Sequence, residues 1–129
     1  MEKNETESKL CIELEQIPEK IESIEKEILQ IQKRIETERE TYEILKSKII
    51  SEITSEKDLV TNKNIFSNVE SRSAELTKRV NEEPRTKLLL ESINNNTTQK
   101  QELQITLGCL ERKFGATRTI LEFLASFKK

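Results

Sequence analysis

The sequence predicts an all-α chain, an elongated coiled coil or helical hairpin with a break near residues 81–84. Three observations predict it. Eleven of twelve successive heptad core positions between Leu10 and Ile49 are apolar or aromatic, the 3.5-residue period that keeps one stripe of a helix on a partner. The composition is 36% charged and 4% aromatic, with two Gly and two Pro in 129 residues, which suits long helices better than a mixed or all-β domain. Asn81-Glu82-Glu83-Pro84 has the form of a helix start, with proline at the first helical position.

Residues 1–16 read as a polar N-terminal segment, part-helical around Leu10 and Leu14. Pro18 falls inside the heptad run. Proline is tolerated in the first turn of a helix but disrupts its interior, so the regular helix is expected to begin near Ile17 or Pro18. It is expected to span 17–80. Its register slips after Ile49, and a second frame carries Leu59, Phe66, Val69, Leu76 and Val80. Residues 60–64 are helix-indifferent and form either a turn or a stutter in a continuous helix. No Gly or Pro enforces a turn there, which favours a continuous or bent helix. The C-terminal heptad helix is expected over 84–129 and is weak at 94–98, where three Asn and two Thr follow one another.

The first-frame stripe holds the residues expected to bind a partner: Ile17, Ile21, Ile24, Ile28, Ile31, Ile35, Glu38, Tyr42, Leu45 and Ile49. Isoleucine at both a and d favours assemblies of more than two strands. Leu29, Ile44 and Ile50 lie off the seam and point to more than one neighbour. A parallel homodimer would attract at Lys20–Glu25, be neutral at Glu27–Gln32 and repel at Arg34–Arg39. It would also set Glu38 against its own copy in the core. A different chain is therefore expected, one that offers a basic or polar group opposite Glu38. The rival reading makes Glu38 a residue at the edge of the stripe or at a helix bend.

Net charge is −2, and residues 1–60 carry −6 against +4 for 61–129. The balance argues against direct nucleic-acid binding and permits electrostatic matching of the two halves or of one half with a partner. The chain has no His, the commonest general base and metal ligand. Cys11 and Cys109 lack metal-ligand spacing and are read as free thiols. Neither a Gly-rich phosphate loop nor an acid–base constellation occurs. The expectation is a protein that is not an enzyme and needs no cofactor or metal. No apolar run is long enough for a transmembrane segment, and the first residues lack a hydrophobic signal region. A nuclear or cytoplasmic location is expected, not secretion. At the C-terminal end Arg112, Lys113, Arg118, Lys128 and Lys129 flank Phe114, Phe123 and Phe127. That pattern permits an interfacial membrane helix, although core packing of the aromatics is the simpler reading.

Leu76, Lys78, Val80, Pro84 and Arg85 follow a Leu-x-Lys-x-(Ile/Val)-x-x-x-Pro-Arg pattern, with Ile93 nine residues after the proline. Leu110-Glu111-Arg112-Lys113-Phe114 then leads into Ile120-Leu121 and Leu124. Residues 76–124 thereby resemble the coiled-coil family that includes subunit seven of the THO complex, in a divergent and shortened form. Ser73 stands where the family usually has an aromatic residue. The resemblance implies a scaffold subunit that winds around another coiled-coil chain, notably THO subunit five, and helps couple transcription to mRNA export in the nucleus. Phe114, Leu121 and Leu124 join the first-frame residues as expected partner contacts. The alternatives are a coiled-coil subunit of a kinetochore, Mediator or vesicle-tethering assembly, or a helical adaptor with a membrane- or peptide-binding C-terminal face.

Overall fold

A computed structural model describes residues 5–127, and those residues are all-α. Three helices follow one another: α1 over Glu5–Ser55, α2 over Val69–Glu82 and α3 over Pro84–Ser126. The chain divides into two units. One joins α1 as far as Gln32 to α3 from Thr98 onward, and the other holds Lys33–Thr97.

In the first unit the heptad stripe of α1 lies antiparallel to α3. Lys100 donates to Oε1 of Gln32 at 2.6 Å, and Lys113 approaches Glu13 at 3.7 Å, so the register runs in opposite directions on the two helices. Ile17 and Ile31 of α1 and Thr117 of α3 are each buried. α1 starts at Glu5 rather than near Ile17, and Pro18 is an exposed residue in its interior. An interior proline costs about 3 kcal/mol. Half-burial of Leu10 and Leu14 on the preceding turns offsets that cost, because tertiary packing of an apolar face supplies most of a helix's stability.

In the second unit α1 packs against α2 and the first part of α3. Ile35, Ile53, Val80 and Ile93 form its buried apolar core. Ile35 and Ile53 are each 2% exposed, and burial of such a side chain contributes about 1.5–3 kcal/mol. Of the two readings open at residues 60–64 the turn holds and the continuous helix over 17–80 does not, since residues 56–68 form a corner between α1 and α2. Asp58 builds it. Its Oδ1 accepts from the backbone N–H of Val60 at 2.7 Å and of Thr61 at 3.1 Å, and its own backbone N–H donates to the Lys63 carbonyl. Asn62 takes the left-handed conformation with φ 55°, which Asn tolerates better than most residues. A single antiparallel bridge joins Lys57 and Asn64. Asp and Asn thus supply the turn chemistry that Gly and Pro would otherwise provide.

Asn68 caps α2 by accepting from the Ser71 backbone N–H at 2.7 Å, the expected N-cap bond. The break at 81–84 is a single extended residue. Glu83 has φ −73° and ψ 117°, the geometry that a following proline imposes, and Pro84 opens α3. Thr86 is fully buried beneath this joint. Its hydroxyl lies within donating distance of the Val80 and Glu83 carbonyls. α3 runs unbroken through 94–98. Asn96 is buried with a tertiary partner, and the Thr97 hydroxyl donates to the Ile93 carbonyl. These weak helix formers are therefore held by contacts that propensity alone does not count.

Candidate partner-binding surface

Glu38 is the one acid in the α1 stripe, and its complement lies in this chain. The Ser92 hydroxyl and Nδ2 of Asn96 both donate to Oε1 of Glu38, at 2.8 and 3.2 Å. Oε2 is buried with no hydrogen-bond partner among the described residues. The heptad pattern leads to the expectation of that group on another chain, or of Glu38 at the edge of the stripe or at a bend. The reason for the difference is register: α3 returns antiparallel and brings its own polar interruption, Asn96, level with Glu38.

The rest of the stripe is covered unevenly. Ile17, Ile31 and Ile35 are buried, whereas Ile21, Ile24, Ile28, Tyr42, Leu45 and Ile49 are half-buried. On α3, Phe114, Leu121 and Leu124 are half-buried as well. Each unit therefore covers part of its apolar seam and leaves part of it at the surface. Leu29, Ile44 and Ile50 are exposed, as positions off the seam should be. Ile12, Leu88 and Ile105 are also exposed, and sequence reading did not single them out. Their signal is available in the heptad register, since each is a large aliphatic residue outside the a and d positions.

Two apolar grooves lie in the second unit. One is lined by Ile50, Ile53 and Thr54 of α1 and Val69, Arg72, Ser73 and Leu76 of α2. The other is lined by Thr41 and Leu45 of α1 and Arg85, Leu88 and Leu89 of α3.

Charge fixes the α1–α2 junction. The Arg79 guanidinium bonds Glu56 and Glu75, both at 2.7 Å, and lies 5.7 Å from the Phe66 ring centroid. The hydrogen bond from Arg79 holds the Glu56 carboxyl below the usual glutamate range, and the two carboxylates raise the Arg79 pKa. Backbone N–H donors from Val60 and Thr61 lower the Asp58 carboxyl. The Arg85 side chain does the same for Glu83.

The expected core packing of the C-terminal aromatics holds only in part, since Phe114 is half-buried but Phe123 and Phe127 are not. Phe123 and Phe127 are exposed and meet edge to face at 4.8 Å. Arg118 sits 6.0 Å from the Phe114 ring centroid and 3.9 Å from Glu122, so an acid accompanies the cation. Lys128 and Lys129 lie outside the described residues. No described helix is long and apolar enough to cross a membrane. Among the described residues no cluster of three His, Cys, Asp or Glu is grouped to hold a metal ion. Cys11 is half-buried and Cys109 exposed, both as free thiols.

No family model, no curated protein and no solved structure matches this chain.

Proposed function

We propose that this chain is a non-catalytic coiled-coil scaffold subunit of a hetero-oligomeric nuclear complex, most like a THO subunit that couples transcription to mRNA export. The observation that carries the scaffold reading is the half-covered seam. Ile21, Ile24, Ile28, Tyr42, Leu45 and Ile49 keep partial exposure after the chain has folded on itself. Leu29, Ile44 and Leu88 add exposed aliphatic surface beside them. Aliphatic side chains exposed at helical spacing mark surfaces that other helices cover.

The identity of the assembly rests on the resemblance of residues 76–124 alone. That resemblance names THO subunit five as the partner and the nucleus as the place. Affinity purification of the tagged chain from its own cells, with quantitative mass spectrometry, tests both levels. The expected result is one coiled-coil partner in equal amount, identified as THO subunit five. Recovery of an unrelated coiled-coil set would overturn the THO assignment and keep the scaffold. A chain recovered alone would overturn both.

A further inference from the structure

We propose that the groove between α1 and α2 receives one apolar side chain of an acidic partner helix, whose carboxylate pairs with Arg72. The inference rests on the partner-binding reading above and names the chemistry of the partner. The groove is a hole made by two helix faces, Ile50, Ile53 and Thr54 on α1 and Val69, Arg72, Ser73 and Leu76 on α2. Spacings of three and four residues on both walls are those into which a third helix sets its knobs. Its volume is about 180 Å³. A cavity of roughly 150 Å³ takes benzene, so the groove fits one Leu or Phe.

The floor and rim differ. Ile53 is 2% exposed, whereas Ile50 is 42% and Val69 77% exposed. Val69 is the first residue of α2, and the Asn68 side chain caps that turn by accepting from the Ser71 backbone N–H, so the backbone of the rim is ordered by the chain itself. Such preorganisation lowers the cost of binding.

Charge selects the occupant. No acid lines the groove. Arg72 is half-buried there and anchored through Nε–H to the Phe66 carbonyl at 2.8 Å. Two turns further along α2, Arg79 takes both nearby acids, Glu56 and Glu75. Arg72 forms no ion pair among the described residues. A guanidinium fixed at the edge of an apolar hole is suited to a carboxylate carried by the incoming helix. A bilayer would engage the outward Leu59 and Val60 of the corner rather than a hole with a buried isoleucine as its floor.

The test uses the purified full chain and two synthetic amphipathic peptides, both with leucines at a and d. One carries glutamates at the flanking positions and the other carries glutamines. Binding is read by fluorescence anisotropy and by methyl NMR. The glutamate peptide is expected to bind saturably and to shift the methyls of Ile50, Ile53 and Leu76. The glutamine peptide, and the glutamate peptide on Arg72→Gln, are expected to bind about tenfold more weakly. Val69→Glu should abolish binding, with circular dichroism confirming that the exposed substitution leaves the helices intact.

Equal binding of the two peptides would overturn the acidic partner, and shifts centred elsewhere would overturn the groove. Self-association of the chain that Val69→Glu abolishes would assign the groove to a second copy and overturn the proposal. Sedimentation with phosphatidylcholine–phosphatidylserine vesicles, lost in Val69→Glu, would overturn it in favour of lipid. A chain that recovers a stoichiometric helical partner in cells but binds neither peptide keeps its scaffold role and loses this groove. A chain that recovers no partner loses the scaffold role itself.

Discussion

Ser92 on α3 donates its hydroxyl to Oε1 of Glu38 on α1 at 2.8 Å, so the acid that interrupts the heptad stripe is answered inside the chain. Asn96, one turn further along α3, bonds the same oxygen at 3.2 Å. This polar layer sets Ser92 and Asn96 of α3 level with Glu38 of α1. Removing one member is therefore costly. Asn96→Leu is expected to lower stability by about 1–3 kcal/mol, through loss of a bond to a charged group. Replacing Glu38, Ser92 and Asn96 together by apolar residues should restore or exceed the starting stability, by about 1–4 kcal/mol. Urea denaturation followed by circular dichroism checks both.

Arg79 between Glu56 and Glu75 makes the α1–α2 junction sensitive to acid. The Glu56 carboxyl is lowered chiefly by its hydrogen bond from Arg79. A carboxyl with a depressed folded value contributes stability above its unfolded value, here near 4.5. That contribution disappears as pH falls through the lower folded value. The junction should therefore loosen only well into the acid range. An NMR titration of the Glu56 carboxyl should show its midpoint below 4.5 in the parent chain and nearer to it in Arg79→Gln.

Thr86 ties the end of α2 to the start of α3. It is fully buried, and its hydroxyl sits 2.7 Å from the Glu83 carbonyl and close to that of Val80. Thr86→Val keeps the shape but removes the donor. A loss of about 1–3 kcal/mol is expected, with faster amide exchange at the joint around Lys87. Thermal unfolding and hydrogen exchange measure the two effects.

Pro18 interrupts α1 without ending it. It lacks the backbone N–H that would donate to the residue four before it, Leu14. Pro18→Ala should stabilise the helix by up to about 3 kcal/mol. Amide protection should rise in the turns on either side of the substitution. An unchanged melting temperature would show that residues 5–17 contribute nothing to the folded helix.

The α1 stripe and the start of α3 at Pro84 could be read from the sequence because each follows from local chemistry. A heptad period requires only the apolar positions, and proline fixes both its own backbone and that of Glu83. At 60–64 the sequence leaves a turn and a stutter both open, because a carboxylate and an asparagine build the corner, and neither residue is decisive until Asp58 is seen to collect the N–H groups of Val60 and Thr61. The seam's own closure was hidden for a different reason. In antiparallel register Asn96 and Lys100 of α3 meet Glu38 and Gln32 of α1, which the period of either helix alone does not show. The half-covered positions that support partner binding depend on how far α3 and α2 shield α1, which periodicity alone does not determine.

The most direct measurement of the central claim, that the α1 stripe closes first on its own chain, is a double-mutant cycle on Glu38→Gln and Asn96→Ala. Thermal and urea unfolding of the purified chain would be run at two widely separated protein concentrations. The account predicts a coupling of about 0.5–3 kcal/mol between the two positions, with the same value and the same midpoint at both concentrations. Zero coupling, or a midpoint that rises with protein concentration, would contradict it and place the stripe against another chain.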